Sequence, residues 1–254
     1  MAILHKQIPL WSDRWPADAL RNKRDVIGSR EFDRGWRQIA LSEDELTFRP
    51  DHVDACLSKE EVLYFPGSGI ERSVLCPPGH YVFMGVDLAI AAKSSAGDFF
   101  VILAIKVNAK TGHRTLLSLY RTRGLTFNQQ IQKVELYADF LDPTYIFVEN
   151  NAYQQAFVQE LQRTTALPVE PFTTTAVKKT DMDFGLPRMA LEIEQRKWTL
   201  PIGDLPSEEL TTLLCDELKT YPISRHDDCL MAMWFARSAA SHIEKRAEKN
   251  IYVL

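Results

Sequence analysis

The stretch YVFMGVDL, residues 81–88, is apolar almost throughout until it reaches a carboxylate, Asp87. Its aromatic and β-branched content predicts a strand. A carboxylate at the end of such a strand sits beside a core, where an uncompensated charge costs several kcal/mol. Two runs of the same kind follow, FFVILAIKV at 99–107 and RTLLSLY at 114–120. The connectors are short and polar and contain Gly97-Asp98 and Thr111-Gly112, which suits antiparallel neighbours.

Beyond these strands, Thr126 and Gln129 have capping-box spacing, and Phe127, Ile131, Val134, Ala138 and Leu141 recur at helical spacing. They predict a helix over 126–141, ended by Asp142-Pro143. Residues 144–148 are a short, nearly continuous apolar run, as expected of a strand buried on both faces, and Glu149 closes it. A helix over about 153–165, a strand at 169–172 and helices over 186–198 and 208–218 come next. The last helix, from 227 to about 249, has a very apolar first half containing CLMAMWFA. Upstream of residue 81, Cys76-Pro77-Pro78-Gly79 is a strong breaker. The residues before it carry Trp11, Trp15, Trp36 and many charges, without convincing strand alternation. Helices are expected there over 17–27 and 29–39, the second with Ser29 as N-cap. The expected division is therefore a linker-like, partly helical segment at 1–78 and an α/β domain at 79–254.

Three antiparallel strands, a helix, strand–helix–strand and a closing helix resemble the order of the ribonuclease-H fold. The expected fold class is α/β: a mixed sheet of three antiparallel and then parallel strands, flanked by helices, with a helical N-terminal segment.

A chain of 254 residues can bury a sizeable core. Its net charge of −4 argues against a protein that coats nucleic acid, so any such contact must come from a local basic patch. No apolar run is long enough to cross a membrane, and the first ten residues are too mixed for a signal peptide, so a cytosolic protein is expected. Cys56, Cys76, Cys215 and Cys229 are scattered with no C-x-x-C pair, which points to buried reduced thiols and away from zinc or disulfides. No G-x-x-x-x-G-K-[ST] phosphate loop occurs.

Asp87, Glu149, Asp227 and Asp228 all sit where charge is uncomfortable, the last two opening the most hydrophobic helix. Each has a plain alternative: a turn residue, part of a polar loop with Asn150-Asn151, or a helix cap. In the expected sheet, however, the first and fourth strands are neighbours, so Asp87 and Glu149 stand side by side. The helix opening at Asp227 can then lay its N-terminus across them. Convergence on a divalent cation would resolve all four, and an oxygen-only set suits Mg²⁺ or Mn²⁺. Two such ions about 3.5–4 Å apart can activate water and stabilise the leaving oxygen in phosphodiester hydrolysis. Lys178, Lys179, Arg188, Arg196 and Lys197 bracket residues 180–187 and are candidate DNA phosphate contacts, with Lys178-Lys179 foremost. Asp181 and Asp183 dilute that patch, and Arg121 with Arg123 forms a second one. His226 reads as a helix-entry residue or an aid to proton transfer.

The segments GVDLA (85–89), FVENN (147–151) and RHDDCL (225–230) resemble the three acidic motifs of phage terminase large-subunit nuclease domains. Gly97-Asp98 is similar to that family's second-strand entry, and Lys178-Lys179 with Arg188 to its basic stretch. Residues 198–201 are similar to its following short strand. Leu10-Trp11 with residues 28–32 resembles the segment that joins packaging ATPase to nuclease. The resemblance implies a Mg²⁺- or Mn²⁺-dependent endonuclease that cuts double-stranded DNA with little sequence preference and trims concatemeric viral genomes. It implies Asp87, Glu149 and Asp227 or Asp228 as metal ligands. Its implied partners are a packaging ATPase, a small terminase subunit and a portal protein, in the cytoplasm of the infected cell and not in the mature virion. The motor would be a separate chain, or the sequence a portion of a longer one. The alternatives are a Holliday-junction resolvase or transposase-like enzyme of the same fold, an actin-like ATP-binding module, and an inactive docking module.

Overall fold

The computed structural model describes residues 4–5, 8–9, 12–28, 32, 35–36, 46–89, 99–149, 154–224 and 226–251. A two-residue ribbon pairs β1 (Leu4–His5) with β2 (Ile8–Pro9). The main sheet has seven strands: β3 (Leu57–Ser58), β4 (His80–Asp87), β5 (Phe100–Asn108), β6 (Arg114–Thr122), β7 (Tyr145–Glu149), β8 (Val169–Phe172) and β9 (Trp198–Pro201). Their spatial order is β3-β9-β6-β5-β4-β7-β8. The central three form an antiparallel meander, and β7 joins β4 and β8 joins β7 in parallel. The expected mixed sheet is therefore the one observed.

Strand β4 explains how the sheet is covered. Side chains alternate along a strand, so Val82, Met84 and Val86 enter one core while Phe83 enters the other. The first core lies beneath the crossover helices α4 (Phe127–Leu141) and α5 (Gln154–Thr164). The second lies beneath α7 (Leu186–Glu194), α8 (Leu205–Thr220) and α9 (Asp228–Ile251), and it takes Trp234 and Phe235. Three shorter helices complete the described set besides α1 (Ala17–Ile27): α2 (Pro50–Asp54), α3 (Arg72–Leu75) and α6 (Ala176–Thr180). Helix α4 starts on the expected capping box, with Gln129 N–H donating to Thr126 and the Thr126 N–H donating to the Gln129 side chain. All four cysteines are free thiols, three buried and Cys76 half-buried.

The helix expected over 186–198 ends at Glu194. The Arg196 N–H donates to the Ile193 carbonyl and the Lys197 N–H to the Glu192 carbonyl, while Arg196 takes φ 55°. This is a Schellman stop, and it frees residues 198–201 to form β9. Apolar periodicity runs through such a stop, because Trp198 is buried on the same side as the helix face. The helix expected over 29–39 lies largely outside the described residues, as do Gly97-Asp98, Asn150-Asn151 and Arg225. Residues ahead of position 79 contribute to the main sheet and its core. Leu57 pairs with Leu200, and Phe48, Val53, Cys56 and Leu63 pack in the second core.

Candidate active site

Asp87 and Glu149 end two adjacent parallel strands. Val86 is in register with Val148, so the two carboxylates follow one another off the same edge. Two-residue alternation places Asp87 on the side of Phe83 and Gly85, and Glu149 on the side of Phe147, the side that α9 covers. Gly85 is what lets α9 come so close. A Cβ there would stand 2.0 Å from the Ala232 carbonyl oxygen and 2.6 Å from the Ala236 nitrogen. Asp228 lies one helical turn before Ala232, and Asp87 lies two residues beyond Gly85 on the strand. The close crossing therefore delivers the N-terminus of α9 to the end of β4.

Asp227 is the residue whose carbonyl accepts the first helical bond of α9, from the Met231 N–H at 2.8 Å, and it is half-buried. Asp228 is buried at 7% exposure. Asp87, itself 9% exposed, is thus enclosed by carboxylates. Burial first, then the negative charges of Glu149, Asp228 and Asp227, hold its carboxyl well above the usual range, and a hydrogen bond with Glu149 adds to this. Glu149 in turn accepts from the Thr174 hydroxyl at 2.7 Å, just beyond the end of β8.

A half-buried cation, Arg121, braces this end. Arg121 stands 3.3 Å from Glu217 and 4.0 Å from Asp228. Glu217, on α8, accepts the Leu230 N–H at 3.0 Å and so satisfies one of the donors that the start of α9 leaves open. The Arg121 and Arg123 guanidiniums lie 3.4 and 3.6 Å from the centre of the Phe99 ring. His226 meets that ring edge-on, contacts Arg123 at 3.2 Å, and stands 3.6 Å from Asp228. Arg121 and Arg123, the second basic patch of the sequence, therefore stand at the carboxylate end.

The other basic candidates divide. Lys178, on α6, donates to the Thr173 carbonyl at 2.8 Å and lies 5.3 Å over the Phe172 ring. Phe172 is in register with Glu149, so Lys178 is anchored next to the carboxylates, with Lys179 following it on the same short helix. Arg188, in the first turn of α7, stands 3.7 Å from Glu192. Arg196 and Lys197 precede β9, whose Trp198 is in register with Arg114. They are thus at the opposite end of the sheet from Asp87. Glu217, Thr174 and Gly85 carry structural weight that the sequence does not signal, since each acts through a partner far away in the chain.

Among the described residues, no group of three His, Cys, Asp or Glu side chains stands ready in metal-holding geometry. The donor chemistry nevertheless fits a hard divalent cation. The donors are oxygens in like-charged excess, and Asp87 is driven to keep a proton that such a cation would replace. No described helix is long and apolar enough to cross a membrane.

No family model and no curated protein matches the sequence. Solved structures do match the fold. The large terminase nuclease of thermophilic phage G20c, solved with bound magnesium, superposes with a TM-score of 0.52 at 17% identity, over 78% of this chain and 98% of that one. The large terminase of a second thermophilic bacteriophage gives 0.55 at 8% identity, over 86% of this chain and 50% of that one. The large terminase of bacteriophage HK97 gives 0.50 at 11% identity, over 88% and 50%. The fold is that of large-terminase nucleases, which is ribonuclease-H-like.

Proposed function

We propose that this chain is a divalent-metal-dependent endonuclease that cuts double-stranded DNA with little sequence preference and trims viral genomes during packaging. The observation that carries the reading is the meeting of Asp87, Glu149 and Asp228 at one sheet end, with Asp227 alongside. Asp87, Glu149 and Asp228 would hold Mg²⁺ or Mn²⁺, with Asp228 preferred over Asp227 because it is the more buried of the two. When bound, such ions supply Lewis-acid stabilisation of charge at the scissile phosphate and activate water. Arg121 keeps Asp228 and Glu217 in place, so that the start of α9 holds its position. Lys178 and Lys179 on one side and Arg123 on the other would grip backbone phosphates without reading bases. The fold shared with large terminases supports a packaging ATPase, a small terminase subunit and a portal protein as partners, in the infected cell.

Supercoiled plasmid provides the test. Nicking and then linearisation are expected with Mg²⁺ or Mn²⁺, and intact plasmid in excess EDTA. Undiminished cutting in EDTA would overturn the reading.

A further inference from the structure

A second site lies at the opposite end of β6 from Arg121. A cavity of about 400 Å³ opens there, lined among the described residues by Arg114, Arg188, Lys197 and Arg237 against Asp183 and Glu192. The charges at its wall are unevenly matched. The buried Glu192 carboxylate is approached by three guanidiniums: Arg237 at 2.8 Å, and Arg114 and Arg188 at 3.7 Å. Arg114 and Arg237 are themselves 4% and 3% exposed. Buried cations in excess of nearby anions are costly, and a further anion offsets that cost. The planar guanidinium fork matches the oxygens of a phosphate. Arg188 is 40% exposed at the rim and leaves a way in, and the hydroxyl of Thr111 adds a neutral donor to the lining.

We infer that this cavity is a phosphate-binding site, separate from the carboxylate end, in which Arg188 and Lys197 meet the ligand at the rim and Arg114 and Arg237 at the floor. Two sources share this chemistry: a backbone phosphate of bound DNA, and a free phosphate compound. Only the first rests on the nuclease reading. Arg114 and Arg121 are seven residues apart on β6, about 23 Å at the rise of a strand. Along the axis of a duplex that distance is about seven base pairs.

The test begins without DNA. Metal-free protein in EDTA is titrated with inorganic phosphate at constant ionic strength while Tm is followed. A saturable rise is expected for the native chain. It should be lost in Arg188→Gln/Lys197→Gln and kept in Lys59→Gln/Lys133→Gln, which removes the same charge elsewhere. No phosphate-specific rise in the native chain, or an equal rise in both double variants, overturns the site. Binding of a 30-base-pair duplex in EDTA over a range of salt then separates the sources. A salt slope lower by about two in Arg188→Gln/Lys197→Gln, with phosphate competing, assigns the site to the DNA backbone. An unchanged slope, with the phosphate response still lost, assigns it to a free phosphate compound. The thermal arm does not depend on cleavage, so failure of the nuclease reading would leave its result intact.

Discussion

Asp87 and Glu192 are both buried carboxylates, and their surroundings push them in opposite directions. Around Asp87, burial and the charges of Glu149, Asp228 and Asp227 all favour the neutral acid, and the carboxyl lies well above its usual range. Around Glu192 burial pushes the same way, but Arg237, Arg114 and Arg188 outweigh it and the carboxyl lies below its usual range. One end of the sheet therefore has negative charge in excess and the other positive charge in excess. Burial alone predicts the first outcome and not the second; the neighbouring charges reinforce it at Asp87 and reverse it at Glu192. An imbalance of this kind is mechanically useful, because a ligand of the opposite sign relieves it on binding.

Asp87→Asn gives the largest expected effect on activity. Plasmid nicking should fall by more than about 100-fold, the scale on which damage to a metal site is felt. The same change should raise the Tm of the metal-free protein by removing repulsion. A folded-state value above the ordinary one means that the stabilising proton is held at low pH and lost as pH rises through the raised value. The native chain then loses stability over that rise and Asn does not, so the gain in Tm should grow with pH. A gain that shrinks with rising pH would remove Asp87 from the charged cluster.

Glu192→Ala should do the reverse at the other end. It leaves Arg237 and Arg114 buried with less compensation, and a loss of about 3–5 kcal/mol in denaturant unfolding is expected. Nicking, assayed well below the lowered Tm, should stay near the native rate. If both carboxylate changes shift stability in the same direction, the contrast between the two ends fails.

Gly85→Ala tests the crossing that links α9 to β4. The added carbon overlaps backbone atoms and not the tip of a side chain, so a loss of about 3 kcal/mol or more is expected. Nicking should fall as well, since Asp228 moves with the helix. A variant as stable and as active as the native chain would show that α9 can withdraw without harm to the carboxylate cluster.

Arg196→Gly is the smallest effect. Arg196 holds a left-handed conformation at the stop of α7, which costs a side-chain-bearing residue about 1–2 kcal/mol, partly offset by the flexibility of Gly when unfolded. A gain of up to about 1 kcal/mol is expected, with nicking unchanged. Loss of DNA binding in this variant would make Arg196 a contact and extend the DNA path to the far end.

Much of this architecture is readable in the sequence. The capping box at Thr126 and the strand ending on Asp87 are local patterns, and local patterns survive translation into structure. The stop at Arg196 is not readable, because a residue that tolerates φ 55° by context carries no mark of it in its name. The ranking of the basic patches is also decided elsewhere. Arg121 and Arg114 look alike on one strand, yet Arg121 meets Glu217 across 96 positions of sequence, while Arg114 lies with Glu192 and Arg237, themselves 45 positions apart. The succession of strands and helices from residue 80 onward, the closing helix and the placing of Asp87, Glu149, Asp227 and Asp228 at the ends of apolar elements were legible in the sequence itself, since hydrophobic period and caps act over a few residues. Which charges stand together was decided only by the tertiary structure, because electrostatic neighbours are set by how distant elements pack, and packing here turned on a single glycine in β4.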